Sequence, residues 1–204
     1  MLSSDISTSL RGRTLSYEIL PLSFDEYLFF NNTQFPKDIY SLKSLSKLKN
    51  YFKDYMKYGF YPEIAMMQDA KLKIKLLQEY FNAIVYRDLI ERYNISNVKM
   101  LKFIMKKIYS SFTKEYSVNK LYNELKSMSY SISKDKIYEL VGQLESIYYF
   151  FSMSKKDNSL LNKEMSNKKV YTYDNGIVLS LSENNSPDLG KYFENVLFNE
   201  IYKK

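Results

Sequence analysis

The 204-residue chain contains no cysteine, no histidine and no tryptophan. Without cysteine it has no disulfide and no thiol nucleophile, and without cysteine or histidine it lacks the usual zinc ligands and a Ser-His-Asp triad. Its five glycines and four prolines are too few for a loop-rich all-β protein. These absences exclude site chemistry that depends on thiols or imidazoles, and they favour a protein built from long helices.

Long apolar segments are also missing. No apolar run reaches the roughly 18 residues that a transmembrane helix needs. The N-terminal segment MLSSDISTSLRGR is polar and lacks the apolar core of a signal peptide. Because the absence of cysteine also fits a reducing compartment, we expect a cytoplasmic protein with no membrane partner.

The formal net charge is +7, from 30 basic and 23 acidic side chains. One interpretation is a polyanionic partner such as DNA or RNA. The other is a lysine-rich composition without functional meaning. Only Arg11, Arg13, Arg87 and Arg92 are arginines. Because lysine is a point charge that reads bases poorly, any binding to nucleic acid should be directed at phosphates and should weaken with salt.

Apolar residues recur at helical spacing along most of the chain. The pattern predicts helices over residues 38–58, 68–93, 98–110, 118–128, 134–147 and 188–202. Ser23 with Glu26 three residues later predicts a capping box, and Ser117 and Ser133 are expected to cap two later helices. The last helix carries five apolar residues on one side, namely Leu189, Phe193, Val196, Leu197 and Ile201.

Strand signals are few. Alternating apolar and polar residues at 14–21 predict one strand, for which the chain supplies no neighbouring strand nearby. Aromatic and β-branched residues at 148–153 and 170–173 predict two more, and the sequence Asp-Asn-Gly-Ile at 174–177 predicts a turn. The expected fold class is therefore mainly α (α+β), with a few short strands.

Residues 97–178 place three helices before two strands, which is the arrangement of a winged helix-turn-helix domain. The third helix has no arginine and contains Asp135 and Glu139, which repel phosphate, so the wing is expected to contribute more contacts. Winged helices also serve as packing modules, and the sequence leaves both roles open. The candidate contacts to duplex DNA are Lys134, Lys136, Lys155, Lys156, Lys168 and Lys169.

Motifs for nucleotide chemistry are missing as well. The chain has no GxxxxGK[ST], no GxGxxG and no HExxH. No apolar run ends in paired acidic residues that would hold Mg²⁺ beside a nucleotide. We therefore expect the chain by itself to hydrolyse no ATP through a P-loop, and to hold no catalytic residue, cofactor or metal.

Four segments, in this order, resemble one family. They are LSSDISTSLRGRTLSYEILPLSFDEYLFF, YMKYGFYPE, YFNAIVYRDLIERYNISN and KVYTYDNGIVLSLSENNSPDLGKYFENVLFNEI. They are similar to the region that follows the sensor strand, and to the C-terminal half, of prokaryotic AAA-type P-loop ATPases whose C-terminal domain has no assigned function. The resemblance covers nearly the whole chain.

The resemblance implies a helical lid plus a winged helix-turn-helix. It assigns residues 1–36 to a remnant of the ATPase core, 37–96 to the lid, 97–178 to the winged helix and 179–204 to the first helix of a nuclease-like domain. The chain is then expected to be a fragment that lacks the Walker A and B core and the final nuclease-like strands, while ATP and Mg²⁺ belong to the full-length family.

One residue role also follows from the resemblance. Arg13 matches the position of an arginine finger, which would stabilise the charge of the γ-phosphate in a neighbouring subunit. The alternative is a structural cation at the end of a helix. The sequence does not choose between these two roles.

Three functions compete. The favoured one is the lid, interaction and DNA-contact part of an AAA-type ATPase, without hydrolysis machinery of its own. The second is a stand-alone winged-helix DNA-binding or regulatory protein. The third is an interaction module that docks on an intact ATPase paralogue, or on itself, through exposed apolar faces.

Overall fold

A computed structural model describes residues 17–36, 38, 41–154, 156, 159, 167–182 and 188–203. The fold is mainly α with a small antiparallel sheet, which confirms the expected fold class. The helices are α1 (Phe24–Phe30), α2 (Leu42–Tyr58), α3 (Pro62–Met66), α4 (Ala70–Ala83), a π-helix (Ile84–Glu91), α5 (Val98–Ser110), α6 (Val118–Ser127), α7 (Lys134–Ser146), α8 (Asn175–Leu181) and α9 (Leu189–Tyr202). The strands are β1 (Glu115–Tyr116), β2 (Phe151–Met153) and β3 (Lys168–Tyr171).

All six predicted helices are present, with one internal difference. The segment predicted as one helix over 68–93 begins at Ala70, because Asp69 accepts hydrogen bonds from the backbone N–H groups of Lys71 and Leu72 at 2.7 and 3.0 Å. It then widens into the π-helix at Ile84. Apolar spacing did not predict this change, since the wider turn keeps the same residue types on its buried side.

The predicted strand at 14–21 is wrong in the part that the structure describes. Residues 17–22 have no regular secondary structure, and Tyr17 and Ile19 are 82% and 92% exposed. Residues 14–16 lie outside the described residues. Among the described strands none pairs with this segment, and a strand without a partner leaves its backbone groups to water.

The chain divides into two compact units, Met1–Leu20 with Asp88–Tyr171 and Pro21–Arg87 with Thr172–Lys204. In the first, residues 98–171 hold α5, β1, α6, α7, β2 and β3, and we call them the winged module. Its strands lie in the order β1-β3-β2 and all pair antiparallel. Its core is apolar: Leu101, Ile104, Leu125, Leu140 and Leu144 are at most 1% exposed.

The second unit, which we call the helical unit, contains α1 to α4, α8 and α9. Its centre is an aromatic cluster around Tyr55, whose ring lies 4.6 Å from that of Phe60 and 5.3 Å from that of Phe24. The Tyr55 hydroxyl lies 3.0 Å from the carbonyl oxygen of Leu22 and 3.0 Å from Oε1 of Glu200. The cluster therefore joins the entry to α1, the end of α2 and the end of α9.

The turn predicted at residues 174–177 is also wrong. Asp174 is instead the N-cap of α8, and its carboxylate accepts a 3.0 Å hydrogen bond from the backbone N–H of Ile177. Aspartate followed by Asn-Gly is a signal for turns and for helix starts alike. The buried side chains of Ile177 and Leu179 explain why the helix forms here.

Helix α9 buries a different side from the one that its apolar pattern predicts. Of the five apolar residues on its predicted apolar side, only Val196 is buried. The buried face consists instead of Tyr192, Asn195, Val196 and Asn199. The remaining four apolar side chains, Leu189, Phe193, Leu197 and Ile201, are 46–73% exposed.

Candidate nucleic-acid interface

The net charge of the chain is concentrated in the winged module. Residues 98–171 contain fourteen lysines, no arginine and seven acidic residues, whereas the other 130 residues contain sixteen basic and sixteen acidic ones. The module therefore carries a formal charge of +7, which equals the charge of the whole chain. The net charge of the full sequence does not reveal this concentration of lysines. It becomes apparent when the charges of residues 98–171 are counted separately.

Helix α7 is the candidate recognition helix of the module. Ser133 caps it by accepting a 3.2 Å hydrogen bond from the backbone N–H of Lys136. The ammonium of Lys136 lies 2.8 Å from Oε1 of Glu139, so its charge is neutralised within the helix. Beyond the first turn the exposed residues of α7 are Tyr138, Glu139, Gly142 and Ser146. The exposed acidic side chains of Asp135 and Glu139 on this helix disfavour phosphate.

Lys134, at the first position of α7, lies beside a residue that sequence reasoning missed. Its ammonium is 5.4 Å from the centre of the Tyr122 ring, and the ammonium of Lys126 is 5.2 Å from the same centre. Neither lysine has a carboxylate partner in the described part of the chain. Both ammonium groups therefore lie near one aromatic ring, close to the turn between α6 and α7. The spacing of Tyr122 and Lys126 on α6 was the available signal.

The wing lysines occupy different surroundings from one another. Lys168 lines a groove of about 130 Å³ together with Tyr138 and Gly142 of α7, so the structure brings it to the candidate recognition helix. Lys169 lies opposite Glu115 of β1 and Met153 of β2 in the sheet. Lys156 is exposed.

Two predicted residues fall outside the described part of the chain. They are Lys155, a candidate contact in the wing, and Arg13, the candidate arginine finger. Their proposed roles stay predictions. Of the predicted contacts, the structure therefore describes Lys134, Lys136, Lys156, Lys168 and Lys169, and it places Lys126 and Tyr122 beside Lys134.

The helical unit contains a cluster of buried polar side chains, which is a second candidate for a functional site. Asn195 accepts a 2.9 Å hydrogen bond from the backbone N–H of Thr172, and its amide donates to the Thr172 carbonyl and to Oδ1 of Asn175, both at 2.9 Å. Asn175 donates to the carbonyl oxygens of Met56 and Tyr192 at 2.9 and 3.2 Å. These bonds link the start of α8 to α2 and α9.

Asp174 completes this cluster. It is 2% exposed, and its carboxylate accepts hydrogen bonds from the backbone N–H groups of Phe60 and Ile177 at 2.5 and 3.0 Å. Burial raises the pKa of the Asp174 carboxyl to about 7, although the hydrogen bonds from Phe60, Ile177 and Gly176 act in the opposite direction. Because the neighbouring amides are themselves buried and bonded to the backbone, we interpret the cluster as structural.

Two other features bear on the chemistry of the chain. A groove of about 600 Å³ in the helical unit is lined partly by Lys73 and Asp54, which pair with each other at 2.9 Å. The described residues contain no group of three or more His, Cys, Asp or Glu side chains that is suited to a metal ion. Within the same residues, none of the helices combines the length and the apolar character that crossing a bilayer requires.

Comparison with known proteins places the chain in a family. Residues 49–188 match the model of a domain of unknown function, DUF8612. The chain belongs to the DUF8612 family. An uncharacterised protein of Methanocaldococcus jannaschii is 36% identical over 204 residues, which are 100% of this chain and 45% of the relative. An uncharacterised protein of Haemophilus influenzae is 26% identical over 205 residues, which cover 100% of this chain and 49% of the relative.

The chain thus spans about half the length of the curated relatives it matches. No solved structure matches it. The DUF8612 match includes the whole winged module and α8 with its cap Asp174, and it ends at residue 188, just before α9. The winged module therefore lies within the region that defines the DUF8612 family.

Proposed function

We propose that the winged module binds duplex DNA through its phosphates, with little dependence on base sequence. The observation that carries this proposal is the charge of +7 on residues 98–171 in a chain that is otherwise neutral. A domain with clustered lysines releases counterions when it meets a polyanion, and this release provides affinity without base contacts. A cytoplasmic location, which the absence of cysteine favours, belongs to the same proposal.

The residue types support phosphate contact rather than base reading. The module has no arginine, so it lacks the planar fork that recognises guanine. The exposed face of α7 carries Glu139, which already holds Lys136. Lys126 and Lys134 at the α6–α7 turn, with Lys156 and Lys168 in the wing, are therefore the residues we assign to phosphate.

The experiment is a titration of labelled duplex DNA at several salt concentrations. The test variant replaces Lys134 and Lys168 by glutamate, and the control replaces Lys49 and Lys53, two exposed lysines of α2, by glutamate. Both variants change the net charge equally. We expect the test variant to lose at least about tenfold in affinity and to reduce the slope of log K against log salt by about 2, because two phosphate contacts disappear.

The outcomes separate local contact from overall charge. The control should lose much less affinity than the test variant, and unrelated duplex sequences should bind equally well. Absence of binding at low salt would overturn the proposal. Equal losses in the test and control variants would show that the wing and the α6–α7 turn are not the contact surface.

We also propose that the chain corresponds to the helical lid-like and winged parts of an AAA-type ATPase, without hydrolysis machinery of its own. Support comes from the four resembling segments and from the length of the relatives, more than half of which lies outside the aligned part. We expect Mg-ATP turnover by the full-length M. jannaschii relative and none by this chain. Turnover by this chain, or failure of the relative to bind ATP, would refute this second proposal.

A further inference from the structure

The groove of about 600 Å³ in the helical unit has a volume typical of small-molecule sites, which range from roughly 300 to 1,000 Å³. All of its lining residues lie between positions 27 and 73, so the groove belongs to the helical unit alone. Helix α2 contributes polar side chains to the lining, whereas the end of α3 and the residue after it contribute Ala65, Met66 and Met67. Such a lining suits a ligand that has both polar and apolar parts.

Four lining residues of α2 form one stripe along the helix. Lys47, Asn50, Tyr51 and Asp54 recur at intervals of three or four residues, which places them on the same face. A cation stands at one end of this stripe, an anion stands at the other end, and an amide lies between them. Because a helix rises 1.5 Å per residue, the backbone positions of Lys47 and Asp54 are roughly 10 Å apart along the axis.

The carboxylate of Asp54 is held in place by a buried lysine. Lys73 of α4 is 3% exposed, and its ammonium lies 2.9 Å from Oδ2 of Asp54 and 4.6 Å from the centre of the Tyr58 ring. The side chain of Asp54 is 48% exposed, and its Oδ1 accepts no hydrogen bond from another described residue. Lys73 therefore orients the carboxylate and leaves its second oxygen available to an N–H donor of a ligand.

The other two polar groups of the stripe are available as well. The exposed Lys47 has its ammonium 5.7 Å from the centre of the Tyr51 ring, and it has no carboxylate partner in the part of the chain that the structure describes. Asn50 is exposed and forms no hydrogen bond through its side chain to any residue of that part. An asparagine amide offers one acceptor and two donors, which complement the N–H and C=O of a peptide bond. The stripe thus offers partners for a carboxylate, a peptide bond and an ammonium, in this order.

A short peptide with free ends has the same order of groups. Three residues of extended chain span about 10 Å, at roughly 3.3–3.6 Å per residue, which equals the separation of Lys47 and Asp54 along α2. We propose that the groove binds a peptide of about three residues, with its C-terminal carboxylate at Lys47, a peptide bond at Asn50 and its N-terminal ammonium at Asp54. This site does not depend on the DNA-binding proposal, because it lies in the other unit.

The methionines determine what side chains the peptide carries. Met66 and Met67 line the groove beside the polar stripe, and Met66 is 55% exposed. Methionine is flexible and polarizable, so it packs against apolar side chains of different shapes. The peptide should therefore have apolar side chains, with little preference among them.

Isothermal titration calorimetry with three related peptides tests the proposal. The probes are the tripeptide Leu-Ala-Leu with free ends, its N-acetyl derivative, which has no ammonium, and its C-terminal amide, which has no carboxylate. The test variant is Lys47→Ala. The matched control is Lys49→Ala, which removes another exposed lysine of α2 that does not line the groove. Circular dichroism verifies that both variants are folded.

We expect the free tripeptide to bind the wild-type chain and Lys49→Ala with the same dissociation constant. Acetylation and amidation should each raise that constant at least tenfold, because each removes one charged end. Lys47→Ala should bind the free tripeptide as weakly as the wild-type chain binds the amide. In this variant amidation should have no further effect, since the carboxylate has already lost its partner.

Three results would overturn the proposal. The first is no heat of binding at about 5 mM free tripeptide, where even a millimolar dissociation constant is measurable. The second is equal binding of all three peptides, because the groove then does not recognise both ends. The third is an equal loss of affinity in Lys47→Ala and Lys49→Ala. Adenosine serves as a competing ligand class, and if it binds more tightly than the tripeptide and displaces it, the groove is a nucleoside site and the proposal is wrong.

Discussion

The winged module and the helical unit are stabilised by different kinds of buried contact. Seven of the eight buried polar side chains among the described residues lie in the helical unit, and only Thr113 lies in the winged module. The module keeps its charge at the surface over an apolar core. The helical unit instead joins α8 to α2 and α9 through buried amides and one carboxylate. Substitutions should therefore act locally in the module and over long range in the helical unit.

The two regions should respond differently to substitutions of their buried residues. An apolar core tolerates replacement by residues of similar volume, whereas a buried polar cluster loses free energy whenever one member goes, because its partners are left unsatisfied. The apolar core of the winged module should accordingly tolerate volume-conserving substitutions. The helical unit is the region in which single substitutions should be most damaging.

Two glycines provide the sharpest test of this contrast. A Cβ at Gly176 would overlap the carbonyl oxygen of Tyr58 and approach Oδ1 of Asp174, whereas Gly142 in α7 has nothing within 4 Å of its Cβ direction. Gly176→Ala should therefore lower the free energy of unfolding by more than about 4 kcal/mol, since a backbone atom must move. Gly142→Ala should raise it by roughly 0.5–1 kcal/mol, because alanine is the better helix former.

Urea denaturation of both variants measures these changes. The wild-type chain and the exposed substitution Asn123→Ala, on α6, serve as references. The contrast between the two regions fails if Gly176→Ala costs less than about 1 kcal/mol, because the α8–α2 contact would then be as adaptable as a surface.

The pH dependence of the free energy of unfolding should reveal the titration of the Asp174 carboxyl. Its pKa is raised by burial to about 7 in the folded protein, so the folded state holds a proton that the unfolded state releases near pH 4. The unfolded state binds fewer protons in this window, so stability falls as pH rises from about 4 to 7. Between pH 5 and 7 the loss from this one group is on the order of 2 kcal/mol.

The variant Asp174→Asn isolates the contribution of this carboxyl to the pH dependence of unfolding. The variant has no titrating group at this position, so its unfolding free energy should change less between pH 5 and 7 than that of the wild-type chain. The informative quantity is the difference between the two pH profiles, because other carboxylates cancel in it. Parallel profiles would mean that Asp174 stays ionised in the folded protein.

Local patterns explain what could be predicted of the fold. The six helices, the capping box of Ser23 with Glu26, and strands β2 and β3 depend on spacing within a few residues. Strand β1, which lies between α5 and α6, was not predicted. The orientation of α9 depends instead on Asn195 and Asn199, whose partner Thr172 is more than twenty residues away. Their burial contradicts their polarity, so no apolar pattern identifies that face.

The candidate interface was predictable to a similar degree. The sequence identified Lys134 and the wing lysines by their position in the predicted fold. It missed Tyr122 and Lys126, because the approach of α6 to the first residue of α7 is a tertiary contact. It also missed that Glu139 neutralises Lys136, although a spacing of three residues on a helix makes such a pair expected.

The smallest predicted effects concern the helix caps. Ser133 accepts a hydrogen bond from the backbone N–H of Lys136, and Ser23 accepts one from Glu26 at 3.3 Å, whereas Ser117 precedes α6 without a side-chain bond to the backbone. Ser23→Ala and Ser133→Ala should each cost about 1 kcal/mol of unfolding free energy, and Ser117→Ala less than about 0.5 kcal/mol.

Thermal and urea denaturation of the three serine variants bear directly on the comparison of the two regions. Ser23 lies in the helical unit and Ser133 in the winged module, yet both caps bond only within their own first turn. Equal costs would show that the regions differ in their long-range contacts and not in their local ones. If Ser117→Ala costs as much as Ser133→Ala, the hydroxyl of Ser117 forms a cap in solution, and the distinction drawn here between the two serines is wrong.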